Sequence, residues 1–100
     1  MLENIHQFLL KLISKEKKDD MIIKGNTNPG NYEILDKTIL TEHQLRYKLK
    51  KGNKLYYMNI EDYRNADFMV EKFYSATMVE MNTGNIKSID TKNIEINENN

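Results

Sequence analysis

The sequence predicts an α+β fold: an N-terminal amphipathic helix packed on an antiparallel β-meander of about five to six strands. Three observations predict it. Apolar residues recur at helical spacing over residues 2–16, apolar and polar residues alternate strictly from Leu45 to Lys50 ahead of a turn at Gly52, and a second turn signal lies at Asn82–Asn85.

At 100° per residue, Met1, Leu2, Ile5, Phe8, Leu9, Leu12 and Ile13 share one sector. Gln7, Lys11, Ser14 and Lys15 fall largely outside it, and Leu10 points away from the stripe. The charged run Lys15 to Asp20 closes the helix. A small meander needs a second layer to make a core, so the stripe is expected to cover one sheet face.

Beyond the helix the apolar period falls to about two. Met21-Ile22-Ile23-Lys24 reads as a short strand stopped by residues 25–31, where Pro29 and Gly30 suit a turn. Residues 32–40 are rich in β-formers and read as the next strand. The segment 45–60 is the most informative. With Gly52-Asn53 as a two-residue loop, Lys51 faces Lys54, Leu49 faces Tyr56, Tyr47 faces Met58 and Leu45 faces Ile60. One face then carries the apolar pairs. The other collects Arg46, Lys48, Lys50, Leu55, Tyr57 and Asn59, and a one-residue slip would mix the two sets.

Residues 61–67 read as a polar connection. Residues 68–81 fit both a helix, through Ala66, Val70, Phe73 and Thr77, and a bent strand; the following hairpin favours the strand. That hairpin pairs Met81 with Ile86, Glu80 with Lys87 and Met78 with Ile89. Residues 93–96 suggest a short edge strand. Residues 1–96 are thus expected to form one α+β domain, with 97–100 as a frayed tail.

The composition is that of a folded globular chain, with 39% hydrophobic and 30% charged residues. Fifteen basic residues balance fifteen acidic ones, which argues against an acidic DNA mimic and a general polycation. The chain has no cysteine, no signal-peptide pattern and no run near the roughly 20 apolar residues of a membrane span, so the expected setting is cytoplasmic. Abundant Asn, Ile and Lys with two arginines fit a low-GC bacterium, or a phage or mobile element living in one.

No motif points to a reaction. His6 and His43 lie far apart with no cysteine or histidine at ligand spacing, and Asp19-Asp20 and Glu61-Asp62 sit where element ends are expected. The four glycines occupy separate turns and form no phosphate cradle. Enzyme activity, cofactor and metal are therefore not expected. The leading expectation is a non-enzymatic interaction protein that binds and occludes a protein partner through a sheet face or strand edge, in the manner of a phage or mobile-element inhibitor of a host factor. Six tyrosines and six methionines suit such a surface. The alternative is a small nucleic-acid-binding domain using hairpin 45–60. Its Arg46, Lys48, Lys50, Lys51 and Lys54 would meet phosphates, and Tyr57 would stack on a base. The same lysines also suit a solvated outer face that resists edge-to-edge aggregation. Homo-oligomerisation is compatible with either reading.

Overall fold

The computed structural model describes residues 18–98. Seven strands follow one another: β1 (Asp20–Ile23), β2 (Gly30–Thr41), β3 (Gln44–Lys51), β4 (Lys54–Arg64), β5 (Val70–Glu80), β6 (Ile86–Ser88) and, after a 3-10 turn at Thr91–Asn93, β7 (Ile94–Asn97). They form one antiparallel sheet in the order β6-β5-β4-β3-β2-β1-β7. The first six strands are a meander. The chain then crosses to the far edge and adds β7 beside β1.

The α+β expectation is overturned. Strand accounts for 65% of the described residues and helix for 4%, no helix reaches seven residues, and the sheet curls into a half-barrel. The helix expected over residues 2–16 lies outside the described residues. A core does form on one face of the sheet, because the curl and the crossing segment bring distant parts of the meander together. Asn28, between β1 and β2, donates to the Met78 sulfur of β5 at 3.3 Å. Buried Ile89, on the crossing, hydrogen-bonds through its N–H to the Ala76 carbonyl at 2.9 Å. The Lys24 N–H meets the Asn93 carbonyl at 2.8 Å.

The central hairpin has the register that its alternation requires: Leu45↔Ile60, Tyr47↔Met58, Leu49↔Tyr56 and Lys51↔Lys54. The six residues of the first three pairs are buried on the inner face, together with Met21, Ile23, Tyr32, Ala76, Met78 and Ile89. The turn closes on Gly52 at φ 62°, a conformation that disfavours a Cβ.

Three local expectations need correction. Residues 61–64 continue β4 rather than forming a connection, so Glu61 and Asp62 lie within a strand and point to opposite faces. The second hairpin pairs Val79↔Ile86 and Met78↔Lys87, two residues from the expected register. Its loop closes where the Glu80 N–H meets the Asn85 carbonyl, with Gly84 at φ 73°. Asn97, expected in the tail, belongs to β7 and donates to Asp20 Oδ1 at 2.8 Å.

The sheet is uneven along its length. β1 and β7 flank β2 only near Gly30–Glu33, and β6 flanks β5 only at Thr77–Val79. Toward the β4–β5 loop the sheet narrows to β2, β3, β4 and β5. Among the described residues, no strand pairs with the outer edge of β5 over residues 70–75, or with that of β2 over residues 35–41.

Candidate interaction surface

The cations picked out by sequence divide between two faces. Arg46, Lys48, Lys50 and Tyr57 lie on the outer face, where strand alternation puts them. The Arg46 Nε donates to Asn59 Oδ1 at 2.8 Å, and its guanidinium sits 4.9 Å from the centre of the Tyr57 ring. Lys48 stands beside Asp36 and Lys50 beside Glu33, their cross-strand neighbours on β2. A shallow depression of about 190 Å³ lies between Asp36, Thr38, Arg46, Lys48 and Tyr57. A larger one of about 400 Å³ continues past Arg46 to Glu61 and Ser75, whose hydroxyl donates to Glu61 Oε1 at 2.7 Å. Acids and bases thus alternate across this face. Lys51 and Lys54 are elsewhere, on the inner side at the hairpin end, so the structure does not bring the six residues into one site.

The opposite end of the sheet carries a surface that the sequence pattern did not single out. β4 and β5 are joined by a tight loop, residues 65–69, organised by Asn65. Its side-chain oxygen accepts from the N–H of Asp67 at 2.9 Å and of Met69 at 3.0 Å. Its own N–H donates to the Met69 carbonyl, and its carbonyl accepts from the Phe68 N–H. Four hydrogen bonds through one residue hold Phe68 at φ 63°, where a bulky side chain is a true outlier. The loop nevertheless turns its largest side chains to solvent, with Phe68 59% and Met69 64% exposed.

Aromatic groups continue behind it on the outer face. Tyr63 and Tyr74 pack with ring centres 4.8 Å apart, His43 lies 6.4 Å from Tyr63, and the Lys72 ammonium lies 5.8 Å from the Tyr63 ring. Both tyrosines are exposed. Desolvation, and then the nearby Glu61, Tyr63 and Asp62, raise the Tyr74 phenol above its ordinary value.

This end is anchored from the inner face. Asp62 is fully buried, and its carboxylate meets the Arg64 guanidinium at 3.0 Å. Arg64 reaches on to the Gln44 carbonyl at 3.0 Å, and the Asp62 N–H bonds the His43 carbonyl at 2.9 Å, tying the end of β4 to the start of β3. Asp62 Oδ2 and Arg64 Nη1 are buried with no hydrogen-bond partner among the described residues, so the ion pair leaves polar capacity unused there.

Chemistry is sparse elsewhere. No group of three potential ligands gathers around a metal position among the described residues, and His43 stands in an exposed turn. Two buried phenols are shifted away from neutral pH. Burial, then Tyr56, pushes Tyr32 up to about 12, and burial, then Glu98, Asp62 and Asp19, raises Tyr47. No helix among the described residues is long and apolar enough to cross a membrane. The chain matches no family model, no curated protein and no solved structure.

Proposed function

We propose that this chain is a non-enzymatic interaction protein that grips a protein partner through the aromatic end of its sheet. The observation that carries this reading is Phe68, exposed at positive φ on a loop fixed by Asn65. A strained backbone of this kind costs on the order of 1–3 kcal/mol, and a ring left mostly exposed offsets little of it in the free protein. A partner that buries the ring does offset it. The loop is already ordered, so binding spends little further entropy on it. Aromatic and methionine side chains are the groups that supply binding hot spots and adaptable contacts. The edge of β5 next to this loop, which no strand among the described residues covers, offers backbone hydrogen bonds for an added strand, a second means of covering a partner's surface. Blocking a host factor on behalf of a phage or mobile element is the setting that the biased composition suits.

The test separates binding from folding. Phe68→Gly removes the ring and suits the positive φ, so thermal stability should stay level or rise by up to about 1 kcal/mol. Capture of a stoichiometric partner from extracts of the native host should be lost. Retained capture by the variant, or no partner for the folded wild-type bait, contradicts the reading.

The competing reading, nucleic acid bound by hairpin 45–60, has less support because Glu33, Asp36 and Glu61 share the outer face with its cations. It requires binding that weakens steeply with salt and disappears in Lys48→Glu/Lys50→Glu.

A further inference from the structure

At the hairpin end of the inner face a cavity of about 490 Å³ opens between the β1–β2 loop, the β3–β4 turn and the β5–β6 loop. That volume lies within the ordinary range for small-molecule sites, about 300–1,000 Å³. Three lysines from different elements line it: Lys51 and Lys54 from the central hairpin and Lys87 from β6. We infer that this cavity is an anion site that takes a phosphate monoester.

Lys51 and Lys54 are direct cross-strand partners, a like-charge pair that costs stability unless an anion lies between or beside them. Neither they nor Lys87 form an ion pair among the described residues, whereas Lys24 and Lys37 each meet a carboxylate within 3.4 Å. Glu80 is the one carboxylate in the lining. Three ammonium groups against it leave two positive charges, and a phosphate monoester carries up to two negative charges above its second pKa of about 6.

Neutral donors are in place as well. Tyr56 and Asn85 also line the cavity, and neither side chain has a hydrogen-bond partner among the described residues. Lys51 is held ready at the rim. Its ammonium bonds the Pro29 carbonyl at 2.8 Å and lies 5.2 Å from the centre of the Tyr32 ring. Gly30, at φ 143°, leaves the room it occupies, since a Cβ there would collide with the lysine's end.

A free phosphorylated metabolite and a 5′-phosphorylated strand end both present this group. Amide shifts of the full-length ¹⁵N-labelled chain should therefore be followed on adding inorganic phosphate, adenosine monophosphate, a 5′-phosphorylated dinucleotide and its unphosphorylated form. Saturable shifts at Asn28, Lys54, Asn85 and Lys87 are expected with adenosine monophosphate or the phosphorylated dinucleotide, and whichever binds more tightly identifies the source. Affinity should fall as pH drops through about 6. Lys54→Glu/Lys87→Glu should weaken binding by about tenfold or more. Lys48→Glu/Lys50→Glu makes the same charge change on the outer face and should leave it within about twofold. No saturable shift, equal binding of the unphosphorylated dinucleotide, or equal losses in the two double variants would each overturn the assignment.

Discussion

The two ends of this sheet solve opposite problems. At the hairpin end the strands are flanked on both sides, the rim is polar, and Tyr32 and Tyr56 meet edge to face at 5.3 Å beneath Lys51. At the aromatic end only four strands remain among the described residues, yet a carboxylate–guanidinium pair is buried there while Phe68 and Met69 face water. The usual partition of polar and apolar groups is inverted at that end. An inversion of this kind costs free energy in the isolated chain, and burial by the proposed partner would offset it.

The sharpest way to break this contrast is to alter Asp62. Asp62→Leu strands the Arg64 charge in a dry site and should cost about 3–5 kcal/mol in urea denaturation. Replacing both partners, as in Asp62→Leu/Arg64→Met, should recover most of the loss, because their unused polar atoms already weigh against the pair. A double variant as unstable as the single would mean that the pair contributes directly to the fold.

Methionine truncation compares the ends next. Met58→Ala, at 0% exposure beneath the central hairpin, should cost about 2–5 kcal/mol, and Met69→Ala on the exposed loop less than about 0.5. Similar losses at the two sites would remove the distinction between a packed body and a displayed tip.

A smaller effect separates the buried phenols from water. Tyr32 and its unfolded counterpart are both protonated below pH 10, so its contribution is complete there. Above pH 10 the unfolded phenol ionises while the folded one keeps its proton to about 12, and stability should decline across that interval. Denaturation midpoints at pH 9 and 11 measure the decline, which Tyr32→Phe should reduce. An unchanged slope in that variant would place the titrating group elsewhere.

The central hairpin was legible in the sequence because Leu45 to Lys50 alternates strictly, no β-bulge shifts its pairing with β4, and Gly52 marks the turn. Its neighbours were obscured by β-bulges. On β5, Glu71 and Tyr74 are extra residues, so the inner positions fall at Val70, Phe73 and Ala76. A spacing of three imitates a helix, which is why that segment read both ways. Leu35 and Leu40 interrupt β2 in the same manner, and these two, with Tyr74, are among the exposed apolar side chains. The bulges that hid the strands also turned greasy residues outward.

The basic face was legible only as a list of cations, because alternation says which side of β3 and β4 a residue takes but not what β2 sets beside it. Glu33 and Asp36 arrive there through a pairing with no local signature. Phe68 was hidden for a related reason: its exposure depends on a loop conformation fixed by Asn65, three residues earlier.

Side-chain oxidation footprinting of the partner complex addresses the aromatic end most directly. Met69 and Met81 are both exposed and lie at opposite ends of the sheet, so each serves as a reference for the other. Complex formation should protect Met69 and Phe68 from hydroxyl radicals and leave Met81 as reactive as in the free chain. Continued oxidation of Met69 within the complex, with protection at Met81 instead, would contradict binding through the narrow end.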